Sequence, residues 1–368
     1  MEITAAILWE RGKPMSIEKA ELDPPGPGEV LVEIKAAGVC HSDLHPARDD
    51  WPMRTPIVLG HEGAGIVRDV GPKVTKVKPG DHIVLCWAPA CGVCPSCTSG
   101  RPVLCDRLDT TTYRNRLPSG ALRLHARGHD VNHFLGTACF AEYAVVAEEA
   151  AVVVDRDLPF DALAMLGCAV VTGVGAVMTA THVPPGARIA VIGAGGVGLN
   201  VIQGARLAEA SQIIAVDRHP APLALAQEFG ASEIVNAPSN TPDAIRALTG
   251  GRGADFVFDT VGTPATVHDA LAATVKGGTV VLTGLSRIDS VASIRMFPFV
   301  MQEKRLIGSA YGSGRPTEDI TRLTQWFQEG RLKLRELVNR RYTLNQIDEA
   351  FDALANGTGA RGVITSVK

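Results

Sequence analysis

Four cysteines crowd one short segment, Cys91-Gly-Val-Cys94-Pro-Ser-Cys97-x7-Cys105. Thiolates spaced in this way can close a tetrahedral shell around zinc from a single lobe, and a closed shell leaves no position for a substrate. An iron–sulfur cluster is the rival, because Cys-x2-Cys-x2-Cys also opens ferredoxin runs. A fourth cysteine seven residues on, rather than three and followed by proline, argues against it. The lobe therefore reads as a structural zinc site. A second constellation is Cys40-His41-Ser42-Asp43-Leu44-His45 together with Gly60-His61-Glu62-Gly63. Either histidine alone would be an ordinary core residue. A third is Gly193-Ala194-Gly195-Gly196-Val197-Gly198. Glycines in such a turn let the backbone approach a pyrophosphate, and a helix N-terminus behind them offers free N–H groups. Asp217, at the end of the next strand, has the spacing of an acid that accepts the adenine ribose hydroxyls and repels a 2′-phosphate, favouring NAD. Arg218 and His219 beside it are cations that could accommodate a phosphate, which leaves the strictness of NAD over NADP open at this point.

The elements that must hold these residues differ along the chain. At 368 residues two domains are expected. The first ~150 residues are short apolar runs broken by turns, an all-β pattern in which Val30–Ala36, Ala64–Val70 and His82–Leu85 are the clearest strands. From about 167 to 306, strand candidates at 188–192, 212–216, 255–258 and 279–282 alternate with Ala- and Leu-rich helices such as 199–209. That is the sign of βαβ units and a parallel sheet. The tail after 307 adds two helices and a last strand, 362–366.

Taken together, the zinc lobe, the paired histidine segments and the nucleotide turn resemble the zinc-containing medium-chain alcohol dehydrogenases over essentially the whole chain. The resemblance implies an α/β protein with a GroES-like catalytic domain (1–166, lobe 91–105, returning at 307–368) and a doubly wound Rossmann domain (167–306). It implies two zinc ions per subunit and NAD. Cys40, His61 and Cys168 would hold a catalytic zinc, leaving one position open, and Cys91, Cys94, Cys97 and Cys105 the structural one. Glu62 would stand behind the metal, and Asp43 would accept the second N–H of His61. Ser42 would take the alcohol proton and pass it through the nicotinamide ribose to His45. The bound metal would lower the alcohol's effective pKa while hydride leaves for the nicotinamide ring. His41 and Arg361 match positions that contact the pyrophosphate; Gly193, Gly195, Gly196, Val197, Gly198, Asp217 and Arg218 complete the cofactor set. Trp87, Phe134 and Leu135 match the substrate pocket, an apolar slot suited to an aryl or bulky primary alcohol.

Two departures refine this. Pro222 stands where relatives commonly carry a lysine, which predicts faster NADH release. Asp109 replaces the arginine that holds glutathione in the formaldehyde-oxidising branch, so that substrate is not expected. A polyol or secondary-alcohol dehydrogenase is the alternative within the superfamily, and Cys168 rather than an acid at the third ligand position argues against it. A silent nucleotide sensor is the alternative outside it, and a zinc-free quinone reductase would lack the lobe. The long 105–139 segment resembles dimeric relatives, so a homodimer is expected, with a tetramer as the other arrangement. Arg114, Arg116, Arg123 and Arg127 within it read as a solvated face. Net charge −3 gives no basic field for nucleic acid. The uncharged run Ala162–Ala180 reads as one buried helix between domains rather than a membrane span. With cysteines clustered as ligands and no secretory leader, a cytoplasmic location is expected.

Overall fold

In a computed structural model that describes residues 1–237, 240–357 and 361–366, the chain divides into two compact units. One is Met1–Cys168 with Arg315–Asn356 and Arg361–Lys368; the other is Ala169–Gly314 with Gly357–Ala360.

The first unit begins with β1 (Glu2–Leu8), β2 (Ser16–Leu22), β3 (Glu29–Gly38), β4 (Ile57–Val58), β5 (Glu62–Val70), β6 (His82–Leu85), β7 (Leu124–Ala126), β8 (His129–His133), β9 (Tyr143–Ala147) and β10 (Ala151–Val154). Strands β1, β2, β7, β8 and β4 close a barrel. The central strand β3 reads EVLVEIKAAG and is buried along nearly its whole length, because it pairs on both edges. Register then decides what sits where. Gly38 is opposite Glu62 on β5 and opposite Val363 on the last strand, which begins at Arg361. Cys40, His61, Glu62 and Arg361 are thereby gathered at one end of three adjacent strands.

The second unit carries β11 (Arg188–Ile192), β12 (Gln212–Asp217), β13 (Glu233–Asn236), β14 (Ala254–Asp259), β15 (Thr274–Leu282) and β16 (Arg305–Gly308). All pairings are parallel, in the order β13-β12-β11-β14-β15-β16. The central strands are continuous apolar runs such as RIAVI and QIIAV because helices cover both faces. Strand order reverses between β11 and β14, so the glycine turn after β11 lies at the switch point where such sheets bind nucleotides. Two further strands, β17 (Val338–Thr343) and β18 (Arg361–Ser366), return to the first unit's sheet.

Three sequence expectations change. The helix after the glycine turn is Gly196–Leu207, starting inside the glycine run and ending where Glu209 takes a left-handed φ of 57°. The run Ala162–Ala180 is not one helix. It is broken at Cys168, whose φ of −151° interrupts the spiral between Met165–Gly167 and Ala169–Gly175. No single helix among the described residues is long and apolar enough to cross a membrane. Finally, Arg123 is not part of a solvated face. Its Nε donates to the buried Glu29 at 2.8 Å, and the pairing holds that carboxyl below its usual range even though burial acts the other way.

A buried histidine gives the first unit a titration signature. His133 is enclosed, and its Nε2 accepts the backbone N–H of Arg123 at 2.9 Å, so the neutral ring carries its proton on Nδ1. Burial pushes it down to about 4 from 6.5. The folded state therefore binds fewer protons than the unfolded one between these values, and stability is lost as pH falls from 6.5 through 4. A shift of this size corresponds to about 3 kcal/mol. Denaturant midpoints measured from pH 7 to pH 4 should show that loss, and His133→Gln should flatten it; parallel slopes for the two proteins would exclude this origin.

Candidate functional site

In the lobe, Gly92 takes a φ of 77° and Pro95 opens a single-turn helix, Pro95–Thr98. These turn Cys91, Cys94 and Cys97 inward toward Cys105. The ligating atoms of the four lie within 4.8 Å of one another, with Sγ···Sγ separations of 3.9 Å for Cys91–Cys97 and for Cys94–Cys105. A tetrahedron with metal–sulfur bonds of ~2.3 Å has edges of ~3.8 Å, so the donor set fits zinc. Backbone N–H groups of Cys91 and Cys94 point at sulfurs of the set, as suits thiolates.

The second cluster is Cys40, His61, Glu62 and Cys168, all buried, again with ligating atoms within 4.8 Å. Cys40 caps helix His41–Ala47, His61 precedes β5, and Cys168 sits at the helix break. Asp43 organises them. It is fully buried, accepts the N–H of Gly60 at 2.9 Å and that of Cys40 at 3.2 Å, and meets His61 Nδ1 at 2.9 Å. With Nδ1 donating to the carboxylate, Nε2 carries the lone pair. That Nε2 is buried and has no hydrogen-bond partner among the described residues. The hydrogen bond with Cys168 holds Cys40 well below the usual thiol range while raising Cys168 well above it. Such a pair shares one proton, with the Arg361 guanidinium acting on both sulfurs. The residues present fit a three-ligand zinc.

Gly60 has to be glycine: its φ is 90°, and a Cβ there would lie 2.7 Å from the Phe140 nitrogen. Burial pushes Glu62 up to about 8, outweighing its neighbour Arg361. Arg361 is itself buried; its Nη2 pairs with Glu62 and its Nη1 donates to the Val39 carbonyl at 3.0 Å. The sequence reading did not foresee this pairing, which follows only from strand register. Phe134 is enclosed and packs edge-on against His61, ring centres 5.7 Å apart. Leu135 is half-buried with φ 50°, and Trp87 is half-buried. Ser42 is half-buried and His41 exposed on their helix. His45 is bonded through Nδ1 to Asp50 and stacked on Trp51, two residues that sequence reasoning passed over.

In the second unit, Gly193 takes φ 92°, and a Cβ on Gly198 would fall 1.8 Å from the Gly193 carbonyl. Gly195 is different: a Cβ there meets nothing within 4 Å. It is the N-cap of Gly196–Leu207 and supplies no side-chain acceptor, so that helix end leaves donors and open space for an anion. Asp217 braces the turn by accepting the Ala194 N–H at 2.8 Å and that of His219 at 2.9 Å. Arg218 Nε donates to His219 Nε2 at 3.0 Å. Pro222 is buried in helix Pro220–Phe229.

A switch-point nucleotide fold and two thiol-rich metal clusters together define a zinc-dependent dehydrogenase. Residues 26–159 match the family model for the alcohol dehydrogenase GroES-like domain, and residues 196–329 that for zinc-binding dehydrogenases. The chain is 42% identical over 368 residues to an NDMA-dependent alcohol dehydrogenase of Amycolatopsis methanolica, covering 99% of each. It is 36% identical to an S-(hydroxymethyl)glutathione dehydrogenase of Paracoccus denitrificans, covering 99% of this chain and 100% of that one. Its fold superposes on benzyl alcohol dehydrogenase from Acinetobacter calcoaceticus with a TM-score of 0.93 at 31% identity, covering both chains fully. The chain belongs to the zinc-containing medium-chain alcohol dehydrogenases. It is an NAD-type oxidoreductase acting on small-molecule alcohols and aldehydes.

Proposed function

We propose that this enzyme oxidises an aryl or bulky primary alcohol to its aldehyde with NAD, in the cytoplasm, as a homodimer. The apolar environment of the metal cluster carries the substrate reading: Phe134 is set edge-on against His61, with Leu135 beside it and Trp87 matching the family's pocket position. The benzyl alcohol dehydrogenase fold neighbour supports it, and Asp109 in place of arginine disfavours a glutathione adduct.

Cys40, His61 and Cys168 would hold the catalytic zinc, and Cys91, Cys94, Cys97 and Cys105 the structural one. Bound zinc supplies Lewis acidity toward the alcohol oxygen, and NAD supplies the hydride acceptor. The chain's own residues do the rest. Asp43 keeps His61 in the tautomer that presents Nε2. Ser42 Oγ takes the alcohol proton, and His45 Nε2 releases it to solvent. Glu62, paired with Arg361, stands behind the ligands. Arg361 and His41 would also approach the cofactor pyrophosphate. Gly193, Gly195, Gly196, Val197 and Gly198 would seat the pyrophosphate, Asp217 would accept the adenine ribose hydroxyls, and Arg218 would flank them. In this reading residues 1–166 and 307–368 are the catalytic domain and 167–306 the coenzyme domain. The eight cysteines form no disulfide among the described residues, which suits a reducing compartment. A dimer is supported by the apolar surface of Ile288 (73% exposed), Val291 (82%), Phe297 (78%) and Met301 (67%), in the same unit as the edge strand β16.

The test is an NAD-reduction screen over aliphatic, aryl and polyol alcohols and a formaldehyde–glutathione mixture, with NADP in parallel. Highest kcat/KM on aryl primary alcohols with NAD is expected; preference for a polyol or the glutathione adduct would overturn the substrate reading.

A further inference from the structure

Helix His41–Ala47 stops in an unusual way. Its C-cap is Arg48, and the next residue, Asp49, takes a left-handed φ of 63°. The Asp49 N–H donates to the Pro46 carbonyl at 3.2 Å and the Asp50 N–H to the His45 carbonyl at 2.9 Å. These are the paired bonds of a Schellman ending, whose left-handed position normally falls to glycine. Here it is an aspartate, held by Arg11 at 3.1 Å. The ending folds Asp50 and Trp51 back over His45. Asp50 Oδ2 lies 3.1 Å from His45 Nδ1. The Trp51 ring stacks on the imidazole at 4.6 Å between centres and 22° between planes. The imidazole is therefore gripped at one edge and on one face. It retains 14% side-chain exposure and Asp50 23%, so the pair sits at the boundary with solvent.

We infer that Asp50 and Trp51 are positioning residues for proton release, holding His45 in the Nδ1–H tautomer so that Nε2 is the nitrogen that accepts the outgoing proton. A carboxylate can only accept, so the bond to Nδ1 dictates which nitrogen keeps its hydrogen. The proton arrives on Nε2, the ring becomes imidazolium beside the Asp50 carboxylate, and the same N–H then gives its proton to water. No electrons move in this step. Trp51 fixes the ring plane, so Nε2 keeps one direction rather than sampling rotamers. The inference rests on the reading of His45 as the proton outlet. A merely structural Asp50 would brace the helix end and nothing more.

The test is stopped-flow proton release in a single turnover of the zinc-loaded enzyme with NAD and benzyl alcohol, followed with a pH indicator. His45→Gln and Asp50→Asn should each slow release about tenfold or more, within the range of positioned acid–base groups, with little change in KM. The double variant should be no slower than His45→Gln alone, Asp50→Glu should recover most of the rate, and added imidazole should restore both single variants. The 15N shifts of the His45 imidazole, assigned by difference from His45→Gln, should report the Nδ1–H tautomer and drift toward a mixture in Asp50→Asn. Asp50→Asn that leaves release unchanged beside an impaired His45→Gln would overturn the inference alone, as would additive losses in the double variant. Normal release in His45→Gln would bring down the proton-outlet reading and this inference with it.

Discussion

Serine in place of Cys40 should leave one zinc per chain instead of two and lower alcohol oxidation by at least about a thousandfold. The size follows from where Cys40 sits. It caps the helix that carries Asp43, and Asp43 in turn receives the N–H groups of Cys40 and Gly60 and orients His61. Removing the sulfur would delete one of the three proposed ligands in a buried cluster, leaving a bound metal with only two protein donors beside the position kept for the substrate oxygen. Asp43→Asn makes a graded comparison. All three ligands remain, but the tautomer and angle of His61 are no longer imposed, a change that typically costs 10–100-fold in metal affinity or rate. Metal content by mass spectrometry and kcat on benzyl alcohol read both effects. Full zinc content and near-normal turnover in Cys40→Ser would contradict the assignment of the catalytic site.

The largest effect on stability is expected from the lobe. Cys97→Ser should lose the other zinc, open residues 91–105 to proteolysis and lower the melting temperature by several degrees, while the catalytic zinc stays bound. The reason is the thinness of the lobe's own packing. Helix Pro95–Thr98 buries none of its residues, and Val93 is 81% exposed. Nearby, Val103 and Leu108 are the buried apolar anchors. A helix of one turn with no apolar face has no independent stability. Closing the four-sulfur shell must therefore do the folding, as structural zinc does in small domains, where it contributes on the order of 10 kcal/mol. Limited proteolysis and thermal melts, with and without a chelator, check this. A lobe that stays protected without its metal would show that side-chain packing suffices.

The two predictions differ in how far the sequence could reach. The lobe could be read from local signal alone, because its four proposed ligands are neighbours in sequence and their spacing is that of a closed shell. So could the glycine turn, since strand, turn, helix and the acid at 217 follow one another along the chain. The catalytic cluster was reachable only through family resemblance, because Cys40, His61 and Cys168 are far apart and each lies in ordinary-looking surroundings. Cys168 illustrates the limit. Its neighbours form an uncharged run, which read as one buried helix, and nothing local announced a break at the proposed ligand. Arg123 misled for a related reason: a cation in a long connecting segment reads as solvated until a distant carboxylate, Glu29, is folded against it.

The sequence by itself determined the chemistry this protein can offer: two sets of candidate metal donors, a glycine turn of the kind that seats a pyrophosphate, and strands whose apolar patterning separates a β-rich unit from a parallel-sheet unit. Tertiary structure alone decided which residues meet. The register of Gly38 against Glu62 and Val363 brought Arg361 onto Glu62, and a Schellman ending with an aspartate at its left-handed position folded Asp50 and Trp51 onto His45. Local spacing records what a segment can offer to a ligand. Which groups face one another across strands, or around a helix end, is set by long-range pairing and burial, and these have no signature in the spacing of residues.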